Sequence, residues 1–174
     1  LERGRLSGTQ YTPEKGWDEN KLDFFRRHIV QLGRSGLFVV YDELVGKEPV
    51  EWNYLLHTVE LPMEVGKEEG GLRILGKNKA DGISIAHLYS SQEMTYAQTD
   101  TFFVAALDWK KRLGKALANH YHFTATTTPC NKVFFLNIID VHGNNRADAV
   151  INHQGNRITV EAVSYTHLTL PTNS

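Results

Sequence analysis

FFRRHIVQLGRSGLFVVYDEL, residues 24–44, holds two apolar runs, Phe24–Leu32 and Leu37–Leu44, separated by Gly33-Arg34-Ser35-Gly36. Short runs rich in Val, Ile and Phe on either side of a glycine-bounded tetrapeptide predict two strands joined by a hairpin-like connection. The second run is apolar on both alternations until Asp42, which predicts a strand in the sheet interior rather than at an edge. Asp42 interrupts that run, so its carboxylate needs a dedicated partner, and Arg26, Arg27 and His28 on the preceding strand are the candidates for a structural salt bridge. Asp42 and Glu43 are adjacent but face opposite sides of a strand, so they cannot work as a close acid pair.

Working outward, Val50–Thr58 alternates: Val50, Trp52, Tyr54 and Leu56 on one face, Glu51, Asn53 and His57 on the other, with Leu55 the exception. Weaker strands are predicted around Leu72–Leu75, Ile83–Tyr89 and Phe102–Leu107. Asn119–Thr127 places Tyr121, Phe123 and Ala125 on one face and His120, His122, Thr124 and Thr126 on the other. Lys132–His142 is so apolar that both of its faces must be buried. Ala149–His153 and Arg157–Val163 form a last pair that turns at Gln154-Gly155-Asn156. Only Asp108–Ala118 has a helical character, which Gly114 weakens. Gly, Pro and Asn punctuate the chain at short intervals, and the whole predicts an all-β, antiparallel sandwich.

The 174 residues suffice for one domain with a real core. Apolar content of 41% and charged content of 22% are those of an ordinary globular domain. The net charge of −1 offers nothing that attracts nucleic acid or an anionic membrane as a whole. No apolar run approaches the length of a membrane-spanning helix. Cys130 is the single cysteine, which excludes an internal disulfide and a cysteine metal cluster. The chain opens Leu1-Glu2-Arg3-Gly4 without an initiator Met or a targeting segment, as a stretch begun inside a longer reading frame would. Its last residues, VSYTHLTLPTNS, resemble translated adapter sequence. Residues 1–163 are therefore taken as a partial sandwich domain and 164–174 as a non-native tail, in which His167 has no functional weight.

Three groups of residues carry candidate chemistry. His120 and His122 stand at i and i+2, so both imidazoles point the same way, roughly 6.5–7 Å apart at the backbone. Two histidines can share a zinc, but a site needs a third ligand and no nearby sequence completes it. The plainer reading is a polar strand face. His57 ends the strand WNYLLH on its polar side, where it could serve as a general base or hold a sugar, or act as a structural donor to the next loop. Asp108-Trp109-Lys110-Lys111-Arg112 is the one basic run. Lys110, Lys111 and Arg112 could contact an acidic polysaccharide with Trp109 stacked on a sugar, although such runs are more often merely solvated. No phosphate-binding glycine loop, nucleophile elbow or HExxH motif is present.

The hairpin of residues 24–44, followed by KEPVEWNYLLHT (residues 47–58) and NHYHFTATTTPCNKVFFLNIIDV (residues 119–141), resembles the C-terminal β-sandwich of heparinase II/III-like polysaccharide lyases. The order of these elements, from about Phe24 to Val163, is more specific than any one of them. The resemblance implies a bacterial, periplasmic or secreted parent that joins an α/α toroid to a β-sandwich and cleaves acidic polysaccharide by β-elimination. It implies catalytic residues in the toroid, and an assisting His and a zinc site in the first sandwich strands. Those motifs have no counterpart here. The resemblance therefore implies no catalytic residue and no cofactor for this stretch, with zinc a feature of the longer parent. The expected partners are acidic polysaccharide and the upstream toroid. A different class, a non-catalytic carbohydrate-binding or cell-surface module, is the competing reading, and a metal site on His120 and His122 the remaining one.

Overall fold

The computed structural model describes residues 22–33, 36–100, 120–143, 147–155, 157–162 and 165–171. Among them the backbone forms strands only: β1 (Leu22–Leu32), β2 (Leu37–Val50), β3 (Asn53–Val59), β4 (Glu64–Glu68), β5 (Gly71–Lys77), β6 (Gly82–Ser90), β7 (Met94–Thr99), β8 (His120–Thr127), β9 (Cys130–Gly143), β10 (Val150–Gln154), β11 (Arg157–Ala162) and β12 (Tyr165–Pro171). No helix of the described residues is long and apolar enough to cross a membrane, which says nothing about a β-barrel. The expected strand at Phe102–Leu107 and helix at Asp108–Ala118 lie outside the described residues.

The strands form three antiparallel sheets, ordered β1-β2-β9-β6-β5-β4, β3-β8-β7 and β10-β11-β12. The six-stranded sheet is the middle layer. One of its faces meets β3-β8-β7 through a core containing Tyr54, Leu72, Ile74, Leu88, Phe123, Val133 and Phe135. The other meets β10 and β11 through Leu37, Val39, Leu136, Ile138, Ile158 and Val160. The sandwich is thus three layers deep. β9 lies between β2 and β6, so its alternate side chains enter opposite cores, which is why its sequence is apolar on both sides.

The hairpin of β1 and β2 pairs as its sequence predicts, with Leu32 opposite Leu37 and Arg27 opposite Asp42. Gly33 and Gly36 both have positive φ, at 61° and 76°, a conformation that only glycine adopts without strain. Gly36 is constrained further, because a Cβ there would collide with the carbonyl of Val141. That close approach lets Val141 N donate to Gly36 O at 3.0 Å. The strand expected over Val50–Thr58 is divided. Val50 ends β2, opposite Cys130, and β3 begins at Asn53. Trp52 sits at the crossing between the layers, where its indole N–H donates to Cys130 O at 3.0 Å and its backbone exchanges hydrogen bonds with Thr127. Backbone donors that leave one sheet are thereby satisfied as the chain enters the other.

β4 and β7 are strands that the sequence reading omits. Residues 165–171, set apart as a tail in that reading, run antiparallel to β11.

Candidate functional site

The outward face of β3-β8-β7 unites two of the sequence candidates. β3 and β8 pair so that His57 lies directly opposite His122, and Thr99 of β7 lies on its other side. The two imidazoles meet edge to face, with centroids 4.6 Å apart and planes at 79°. They share this face because Phe123 and Ala125, on the alternate positions of β8, are completely buried in the core. His120 follows on the same face, opposite Val59. Two imidazoles in contact can exchange a proton or orient a shared polar ligand. Among the described residues no group of three or more His, Cys, Asp and Glu could hold a metal ion. The metal candidates His120 and His122 therefore belong to no such group among those residues. Trp109, Lys110, Lys111 and Arg112 lie outside the described residues.

Beneath the hairpin, Arg27 holds Asp42 with two hydrogen bonds, Nε to Oδ1 at 2.6 Å and Nη2 to Oδ2 at 2.7 Å. The Asp42 side chain is 3% exposed and that of Arg27 46%. This is the partner that the position of Asp42 in an apolar strand requires, in the bidentate form that a guanidinium supplies. Asn137 Nδ2 donates to Tyr54 Oη at 3.0 Å in the same interlayer space. Burial raises the Tyr54 phenol above its ordinary range, opposed by that hydrogen bond, with Asp42 pushing the same way as burial.

A second polar cluster joins β4, β5 and β6. The Glu68 carboxylate lies 2.9 Å from His87 Nδ1 and accepts a hydrogen bond from Tyr89. Burial alone raises the Glu68 carboxyl, but the hydrogen bonds from His87 and Tyr89, with Arg73 nearby, bring it below the ordinary value. Burial and the Glu68 acceptor together raise the Tyr89 phenol far above its usual range. Sequence reasoning did not single out these residues. The available signal was His87-Leu88-Tyr89, whose rings share one side of a strand; the carboxylate between them arrives from β4, nineteen positions earlier than His87. His87 and Tyr89 are each 8% exposed, so the cluster cements the layer and offers little to a solute.

A third arrangement lies on the side of the hairpin away from Asp42. Arg26, Glu43 and Phe134 form one cross-strand row, and His28, Tyr41 and Leu136 the next. The Tyr41 and Phe134 rings are nearly parallel, at 14° and 5.8 Å. His28 lies 6.3 Å from Tyr41. Lys132 Nζ stands 4.6 Å over Phe134 and 3.1 Å from Glu43. Arg26 is stacked 4.9 Å over Phe24.

No protein-family model matches the chain, and no curated protein matches it by sequence. Among solved structures, heparan sulfate lyase HepC from Pedobacter heparinus is similar over 88% of this chain, with a TM-score of 0.52 and 12% identity. Two structures of a heparinase III gene product overlap 89% and 88% of it, at TM-scores of 0.49 and 0.45. The chain spans 24% of the HepC chain, about a quarter. At this identity the likeness is one of fold: the strands adopt the arrangement of a heparinase-like partial domain, an all-β sandwich.

Proposed function

We propose that this chain is the distal part of the β-sandwich in a heparinase-like lyase that cleaves an acidic polysaccharide by β-elimination. Its part is to pack against a helical toroid and to wall one side of the substrate cleft, in a protein that works in the periplasm or outside the cell. The observation that carries this reading is the fold likeness to heparan sulfate lyase HepC over 88% of the chain. The residues favour a supporting role over a catalytic one. The Glu68–His87–Tyr89 cluster is closed off, Asp42 is neutralised by Arg27, and the His57–His122 pair belongs to no described group of three or more possible metal ligands.

The test is to express the longer polypeptide that contains this chain and incubate it with heparan sulfate. Unsaturated uronate, followed by its ultraviolet absorbance, should appear with the longer polypeptide and not with the 174-residue chain alone. Cleavage by the isolated chain would refute the supporting role, and an inert full-length protein the lyase reading itself.

A further inference from the structure

The two edges of the six-stranded sheet are built differently. β4 ends it with five residues, Glu64-Val65-Gly66-Lys67-Glu68, whose short length and charges discourage further pairing. β1 ends it with eleven residues, and among the described residues no strand pairs with its outer side. Its Ile29 and Val30 are 64% and 49% exposed. The sequence of β1, LDFFRRHIVQL, has the same chemical character read from either end. The apolar Phe24 and Phe25 precede the basic Arg26-Arg27-His28, and the apolar Ile29 and Val30 follow it. A two-fold axis sets a surface against its own copy, so that residue i meets j and j meets i. A strand whose character is symmetric about Arg27 meets that condition.

We propose that β1 pairs antiparallel with β1 of a second copy of this chain, about a two-fold axis at Arg27, joining the two six-stranded sheets into one. Phe24 of each copy then lies opposite Val30 of the other, Phe25 opposite Ile29, Arg26 opposite His28, and Arg27 opposite Arg27. An aromatic ring beside a β-branched side chain is a favourable cross-strand pair, and each of these is made twice. Directly opposite residues must share a face, so the competing registers are two residues away. One of them sets Arg26 against Arg26, and the other sets Arg26 against Val30 and Arg27 against Ile29. Like charges directly opposite are unfavourable, but each copy brings its own carboxylates to the basic centre. Asp42 holds Arg27, and Glu43 lies opposite Arg26 on β2. The positions from Phe24 to Val30 would exchange roughly six to eight backbone hydrogen bonds across the axis, within the range of an ordinary protein interface. The register irregularity between Leu22 and Phe24 marks where the regular stretch ends. This pairing rests on β1 alone and holds whether or not the longer protein is a lyase.

The test is sedimentation equilibrium of the 174-residue chain, at concentrations from about 1 μM to about 1 mM. A monomer–dimer equilibrium is expected. Ile29→Lys should raise its dissociation constant by about tenfold or more. Val150→Lys, the same kind of change at a valine of β10 that is 50% exposed, should leave it unchanged. The register is read by disulfide formation in a Cys130→Ser background, since Cys130 is the single cysteine. On oxidation, Arg26→Cys and His28→Cys chains should cross-link to each other when mixed, and neither should cross-link alone. This arm decides the matter where Ile29→Lys does not fold. A monomer at every concentration overturns the proposal, as does a dimer that folded Ile29→Lys leaves intact. Cross-linking of either chain alone, or none in the mixture, also overturns it. Growth beyond the dimer would mean that β1 pairs with a different edge, such as β4, and would overturn the closed two-fold pairing. Neither measurement scores cleavage, so each outcome is separate from the lyase assay.

Discussion

Asp42 shows how one carboxylate can be forced into a β interior and kept there. Its side chain is 3% exposed and its partner Arg27 is 46% exposed, so the two substitutions that break the pair are not equivalent. Arg27→Ala strands a buried negative charge and should cost about 3 kcal/mol or more. Asp42→Ala leaves a guanidinium that can turn to water, and should cost less, about 1.5–3 kcal/mol, the worth of hydrogen bonds to a charged group. Urea melts of both variants check the order; equal losses would mean that Arg27 is not what keeps Asp42 in place. Glu68 provides a pH prediction. Its folded carboxyl titrates below the ordinary 4.5, so its contribution is complete above that value and is lost as pH falls through the folded one. Tyr89 works in the opposite sense. The fold favours its neutral phenol, which stabilises below about pH 10 and ceases to do so as pH rises beyond the phenol's unfolded value. Melting temperatures between about pH 3 and 6 should therefore fall less steeply in Glu68→Gln than in the wild type. Parallel curves would place the acid sensitivity elsewhere.

At the scale of elements, β1 is an exposed edge strand. It forms an edge of the six-stranded sheet, and its Ile29 and Val30 are 64% and 49% exposed. A long apolar edge is a template for pairing with another chain. Ile29→Lys places a charge on that edge without removing any buried contact, so its effect on stability should stay within about 0.5 kcal/mol. It should also reduce self-association, as measured by light scattering. Unchanged scattering with an unchanged melt would show that β1 does not nucleate association. The turn that precedes β2 was legible from Gly33 and Gly36. By contrast, β4, EVGKE, and β7, MTYAQT, were not: such short and mostly polar stretches carry too few apolar residues to show a period. They are strands because β5 and β8 present backbone donors and acceptors to them.

For the whole molecule, the three layers imply two cores that share only the middle sheet. Ile74 lies in one at 2% exposure, and Ile158 in the other at 0%. Ile→Val at either site should cost about 0.5–1.5 kcal/mol, and the double variant should lose the sum to within about 0.5 kcal/mol. A clear departure from additivity in denaturant melts would mean that the middle sheet transmits strain between its faces. Strand identity, the alternation of side chains between faces and the need of Asp42 for a partner among Arg26, Arg27 and His28 could all be read from residues 24–44 and 119–142. These depend on a two-residue period and a tight turn, which are local. The placement of β9 between β2 and β6, the meeting of His57 with His122, and the convergence of Glu68 with His87 and Tyr89 could not. They join strands far apart in the chain, and which strands become neighbours is settled by how all the apolar faces are buried together, a global condition that no single stretch of sequence states.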